Sequence, residues 1–200
     1  MSKKTIVINA DILKNMSEKI EQMSNKEVEI KGATINDALC SYSYELLKGP
    51  TKGDTLNRKG AHVIDDDLQI KFDRLNVFLA HLDDAYTGNT NTTLITDLEL
   101  EVETEKYHVT GFSISGVEEN KSVILSGWKE VTEGIVKYSA PKIKYSGSYL
   151  YLSFLKKRVQ EAIDEVELYM NGKTAPQEDA NQTHMDFASE DAAFDNAKVN

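Results

Sequence analysis

Four cations fall within the twelve residues from 48 to 59 of an otherwise acidic chain: Lys48, Lys52, Arg58 and Lys59, in "KGPTKGDTLNRKGAH". Glycines 49, 53 and 60 separate them. Glycine lets backbone amides approach a phosphate closely. Lysine and arginine neutralise phosphates and steer a charged strand. The chemistry offered is therefore nucleic-acid binding. The same residues also suit a solvated loop whose lysines only keep it exposed.

The other chemistry-bearing residues have structural explanations. Asp65, Asp66 and Asp67 could hold a hard cation. They enter a helix, however, where aspartates cap free amides and face the positive end of the dipole. Glu99, Glu101 and Glu103 alternate as the wet face of a strand would. Tyr42 and Tyr44 could stack on bases, but they share a strand phase with Cys40 and Leu46, which points to the core. Histidines 62, 81, 108 and 184 have no metal-ligand spacing. His81 reads as a packed or surface histidine. "GPTKGDT" echoes a phosphate-binding loop without its spacing, and no GxGxxG after a strand, HExxH, CxxC or GxSxG occurs. No catalytic residue, metal or cofactor is expected, and the chain is not expected to be an enzyme.

The elements that must position these residues follow from periodicity. Residues 9–24 carry Leu13, Met16, Ile20 and Met23 at helical spacing. "KEVEIKG" and "ALCSYSYELL" alternate as strands, with Ser41, Ser43 and Glu45 turned away from the tyrosines. Residues 48–62 predict an exposed loop. Residues 64–86 predict one continuous helix on Leu68, Phe72, Leu75, Leu79 and Leu82. "TGNTNTT" is a loop. Four strands are then expected, "LELEVE", "YHVTGFSISG" with a bulge near Gly111, "SVILSGWKEV" and "GIVKYS", joined as an antiparallel meander. The closing helix, within 149–172, buries Leu152, Leu155, Val159, Ala162, Val166 and Tyr169 or Met170, with Gly172 as its terminal glycine. The expected fold is α+β, a mostly antiparallel sheet with helices on one face. One domain spans 1–172, including an N-terminal helical segment over 1–25, and an acidic disordered tail spans 173–200.

The net charge is −10, and the tail holds six carboxylates against two lysines, leaving about −6 for the rest. Such a body disfavours tight duplex binding, which runs on cations. The single Cys40 excludes an internal disulfide framework and fits a reducing compartment. The N-terminal apolar run is too short for a signal-peptide core, and nothing approaches the roughly 18 apolar residues of a membrane span. A cytoplasmic protein is expected, without membrane contact.

The tail keeps large apolar side chains, which a disordered segment normally lacks. "QTHMDF", with Gln182, Met185 and Phe187, resembles the short Q-x-x-Leu/Met-x-Phe peptides that bind the bacterial replication sliding clamp. "SEDAAFDN", with Phe194, is similar to the acidic C-termini of bacterial and phage single-stranded-DNA-binding proteins. The segments "HVTGFSISGVEENKSVILSGWKEVTEG" and "YLYLSFLKKRVQEAIDEVELYMNGK" resemble uncharacterised bacteriophage proteins of DNA replication and recombination regions. These resemblances imply a phage accessory protein of DNA metabolism in the host cytoplasm. Its partners would be single-stranded DNA and a sliding clamp or other replication protein. The alternative is a protein-interaction, anti-defence or sponge protein, or a small virion or assembly component, without nucleic-acid binding. The sequence leaves the oligomeric state open.

Overall fold

Alternating apolar and polar residues build the first pair of strands. In the computed structural model, which describes residues 26–99 and 102–176, β1 (Val28–Asn36) and β2 (Leu39–Leu46) pair antiparallel. Ile30 faces Tyr44, Ala33 faces Tyr42 and Ile35 faces Cys40. All six join the core, Tyr44 at its margin. Tyr42 meets Tyr169 edge-on at 6.3 Å, so both β2 tyrosines pack inward.

The expected loop over 48–62 is in large part a strand. β3 (Thr55–Val63) pairs antiparallel with β2, Arg58 opposite Tyr42 and Lys59 opposite Ser41. All its residues are exposed except the half-buried Gly60. Its apolar Leu56 and Val63 stay exposed, so it shows no period-two burial pattern, and backbone pairing alone makes the strand. Its charges suit an edge, where lysine discourages unwanted pairing.

The expected single helix over 64–86 is two, α1 (Asp66–Asp73) and α2 (Asn76–His81). Asp65 caps α1 by accepting from the Asp67 amide at 2.9 Å. The break at Arg74–Leu75 lets Asn76 accept from the Val109 amide at 2.7 Å. That amide lies where β4 (Tyr107–Ser115) slips register between Val109 and Gly111, at the expected bulge. The break also rephases the helix, so that Val77, Phe78, Leu79 and Ala80 are all buried, which one continuous amphipathic helix does not achieve.

"LELEVE" is not a strand. α3 (Ile95–Glu99) and a 3₁₀ turn (Val102–Lys106) flank residues 100–101, which lie outside the described residues. Thr92 accepts from the Leu94 amide at 3.3 Å and bonds Asp97 at 3.4 Å, a local arrangement that competes with strand formation. The glutamates tie this segment down rather than wetting a sheet. Glu99 takes Arg158 at 3.3 Å and Glu103 takes the Thr87 hydroxyl at 2.7 Å.

The remaining chain follows expectation, except that Leu152 is only half-buried and Ile163 joins the buried stripe of the closing helix. β4, β5 (Ser122–Val131) and β6 (Gly134–Ser139) form a meander, and the two-residue β7 (Ile143–Lys144) also pairs with β5. The main path is β3-β2-β1-β4-β5-β6. It joins two antiparallel meanders at the β1–β4 pair, and the fold is α+β. α4 (Leu152–Met170) buries Leu155, Val159, Ala162, Ile163, Val166 and Tyr169 against α1 and β1. Phe72, Phe78, Leu75 and Leu79 are fully buried between helices and sheet. Each such side chain contributes about 1.5–3 kcal/mol. Gly172 ends α4 with φ +102°, and the amides of Gly172 and Lys173 bond back to Tyr169 and Leu168. Residues 173–175, assigned to the tail from sequence, lie against the body. The expected helix over 9–24 and the remainder of the tail lie outside the described residues.

Candidate nucleic-acid interface

The four candidate cations do not form one loop cluster. Lys48 and Lys52 occupy the β2–β3 turn, while Arg58 and Lys59 are neighbours within β3. Adjacent strand residues point to opposite faces. Arg58 lies opposite the inward-facing Tyr42, so it flanks the helical side, and Lys59 projects from the other face. None of the four forms an ion pair among the described residues.

Among the described residues, no helix packs on that other face. Reading partners across the sheet gives an unbroken row: Lys59, Ser41, Thr34, Gly111, Ser126, Ser139. Beside it runs a second: Asn57, Ser43, Gly32, Ser113, Ile124. Between the ends of both rows every residue is Gly, Ser or Thr. The Ser126 and Thr34 hydroxyls lean over Gly111, and a Cβ there would meet both at 2.9 Å. A third row holds His108, Trp128 and Lys137. Its imidazole and indole are stacked, centroids 3.8 Å apart and 22° from parallel, and both are half-buried. The result is a hydroxyl-lined floor with an aromatic ledge. At about 4.8 Å per strand, Lys59 on β3 and Lys137 on β6 stand roughly 24 Å apart.

Charge divides between the layers. The strands carry six Lys/Arg and three glutamates. Segments 65–106 and 152–173, which supply the helical side, carry fifteen carboxylates and seven Lys/Arg. A phosphate chain is therefore repelled by the helices and not by the sheet. Not every sheet cation is available. Lys31 bridges Glu29 at 2.7 Å and Glu45 at 2.8 Å, Lys129 is paired with Asp83, and Lys121, just before β5, holds Glu29 at 2.9 Å. Burial opposes charge on both Glu29 and Lys31, but these contacts outweigh it, holding the Glu29 carboxyl below and the Lys31 ammonium above their ordinary values. Lys59 and Lys137 have no such partner among the described residues.

No family model, curated protein or solved structure matches this chain.

Other groups are accounted for structurally. Cys40 is fully buried and its thiol is pushed up to about 12, so it stays protonated. His81 packs among Tyr86, Tyr149 and Tyr151, and burial lowers its pKa against the pull of the Thr90 backbone. Asp65 and Asp67 face Lys173, at 3.6 and 2.6 Å, and no metal-holding cluster occurs among the described residues. A cleft of about 560 Å³ on the helical side is lined by Arg74, Arg158, Glu99 and Glu105. Its arginines are engaged by Glu161 and Glu99. No helix among the described residues is long and apolar enough to cross a membrane.

Of the sequence candidates, Lys59 alone lies on the hydroxyl floor, Arg58 flanks it, and Lys48 and Lys52 cap the adjoining hairpin. Gln182, Met185, Phe187 and Phe194 lie outside the described residues. Sequence reasoning missed Trp128, His108 and Lys137. The available signal was the run of hydroxyls at alternate positions in β2 and β4, which marks a polar face kept free of bulk.

Proposed function

We propose that this protein is a non-enzymatic accessory of DNA metabolism that binds single-stranded nucleic acid across the open face of its sheet. The observation that carries the reading is the cross-strand row from Lys59 to Ser139, flanked by the stacked His108–Trp128 pair. Small-residue floors admit splayed bases, and a half-buried aromatic pair at the margin gives them a stacking partner worth about 1–3 kcal/mol per base. Ser41, Thr34 and Ser126 supply hydroxyls for phosphate or sugar oxygens. Lys59 and Lys137 neutralise phosphates, while Arg58, Lys48 and Lys52 steer the strand in from the β3 side. With so few available cations duplex affinity stays low, since duplex binding is largely phosphate neutralisation. The likeness of Gln182, Met185 and Phe187 to clamp-binding peptides supports a tether to replication machinery.

Fluorescence anisotropy of a labelled oligothymidylate tests the reading. Binding is expected at low salt and should weaken as salt rises. Lys59→Glu with Lys137→Glu should weaken it about tenfold or more and flatten the logarithmic salt slope by about 1.4, at ~0.7 per phosphate contact. Absence of binding at low salt rejects the reading. The tether is tested separately: Gln182→Ala with Phe187→Ala should abolish capture of a sliding clamp, and capture that survives rejects it.

A further inference from the structure

The two outer edges of the sheet differ in chemistry. β3 carries Arg58 and Lys59, and the turn before it carries Lys48 and Lys52 against Asp54 alone. β6 carries Ile135, Val136 and Lys137, with Glu133 in the turn before it. Ile135 is 66% exposed and Val136 45%. Charge on an edge deters pairing with another chain, whereas an edge with exposed branched apolar residues invites it. The backbone of β6 is directed by its pairing with β5, which runs from Ser126–Ser139 to Val131–Gly134 without a register shift. Next to that ladder the Ala140 amide donates to the Leu125 carbonyl at 2.9 Å. Hydrogen bonding alternates along an antiparallel ladder, so Gly134, Val136 and Tyr138 face β5, and Ile135 and Lys137 turn amide and carbonyl outward. Those outward groups have no strand partner among the described residues. Tyr138 donates its hydroxyl to the Leu82 carbonyl at 2.7 Å, which places its side chain, and that of Val136, on the helical side. Ile135 and Lys137 therefore project from the open face.

We propose that β6 pairs antiparallel with β6 of a second copy of this chain, about a two-fold axis through Ile135. Ile135 then exchanges its outward amide and carbonyl with its own counterpart, and the two exposed isoleucines cover one another. Centring the axis there brings Lys137 of each copy abreast of the other copy's Glu133, since the two residues lie equally far on either side of Ile135. Both are exposed, and neither has an ion-pair partner among the described residues. An axis through Val136 loses this match, and one through Lys137 opposes two ammonium groups, which is unfavourable for residues directly across a ladder. The same repulsion rejects β3 as the partner edge, because it would bring Lys137 to a strand that already holds Arg58 and Lys59. Like edge to like edge closes as a dimer, whereas β6 to β3 would run on as a filament. The axis stands perpendicular to the sheet, so both open faces lie on one side of a continuous sheet. An exposed ion pair contributes little, so it selects the register and leaves Lys137 within reach of a phosphate. One strand edge is smaller than a standard interface, so the dimer depends on concentration. This contact uses the strand edge and is independent of nucleic-acid binding.

Sedimentation equilibrium of the full chain over a concentration series, without nucleic acid, tests it. The apparent mass should rise with concentration and level off at twice that of one chain. Ile135→Lys and Ile135→Glu each set like charges on the axis at an exposed position. Each alone should weaken association about tenfold or more, with far-UV circular dichroism unchanged. Mixing the two variants in equal amounts should recover the association, because residue 135 of one copy then meets the opposite charge on the other. Glu133→Lys combined with Lys137→Glu should associate as the native chain does, while either change alone weakens it. A single-chain mass throughout the series overturns the proposal, as does a dimer that Ile135→Lys leaves intact. Failure of the mixed variants to associate overturns the axis through Ile135. Masses that grow past two chains also overturn it, because the contact then joins unlike surfaces.

Discussion

Replacing Lys129 with methionine removes the charge that keeps a buried carboxylate ionised. Asp83 follows α2 and is 9% exposed. It accepts from the Tyr107 hydroxyl at 2.9 Å, from the Ala85 amide at 3.1 Å, and from Lys129 in an ion pair. The ammonium lies between two rings, 5.9 Å from the Tyr107 centroid and 5.7 Å from that of Tyr138. Burial pushes the Asp83 carboxyl up, but Lys129, Ala85 and Tyr107 together hold it below its ordinary range. Lys129→Met leaves the carboxylate with neutral donors only. Removing one partner of a buried pair costs about 3–5 kcal/mol. The Lys129 side chain keeps 18% exposure, so the lower end, about 3 kcal/mol, applies. Urea unfolding followed by the fluorescence of Trp128, the single tryptophan, should show a midpoint about 1 M or more lower at pH 7. The pH dependence gives a second check. In the native chain the depressed pKa contributes stability above the unfolded value, near 3.9, which is lost as pH falls through the folded value. In the variant burial dominates and raises the folded pKa, so the penalty at neutral pH fades on acidification. The gap between the two proteins should narrow from pH 7 toward pH 4. A gap below about 1 kcal/mol at pH 7, or one that widens as pH falls, refutes the reasoning.

Further outcomes follow from the same geometry. Gly172→Ala places a Cβ in open space at φ +102°, so only backbone strain is felt, and stability should drop by about 1 kcal/mol in the same urea assay. Asp65→Ala removes the cap on the Asp67 amide and should cost about 1 kcal/mol, with Asp65→Asn recovering most of it. Gly127→Ala would drive a Cβ onto the His108 carbonyl oxygen beneath the aromatic ledge. It should disrupt the β4–β5 pairing and lower thermal stability far more than Gly172→Ala does.

The strands that bury side chains were legible in the sequence. Val28 and Ile30 against Cys40 and Tyr42, the Gly111 bulge and the α4 stripe ending at Gly172 all announce themselves through spacing and terminal glycine, whereas Ala33 and Ile35 fall out of phase because the strand slips register between Ile30 and Gly32. β3 was not legible, because Thr55–Val63 buries nothing and its pairing depends on β2 backbone groups. The break between α1 and α2 was hidden for a related reason: the leucine spacing is continuous, and Asn76 is recruited by a strand amide 33 residues away. "LELEVE" misled because three alternations fit a strand while Thr92 and Asp97 set up a helical turn. The candidate site was half legible. Charge alone pointed to Arg58 and Lys59, but only the register across the strands puts Ser41, Thr34, Gly111 and Ser126 in one row with Lys59.

The central claim is that the open sheet face, with Trp128 stacked on His108, receives single-stranded nucleic acid. Titrating the intrinsic emission of Trp128 with unlabelled oligothymidylate at low salt tests it most directly. A saturable change in emission is expected, one that added salt reverses and that a duplex of equal length reproduces only weakly. Emission that stays constant while the oligonucleotide reaches high excess, or that changes equally with duplex, contradicts it.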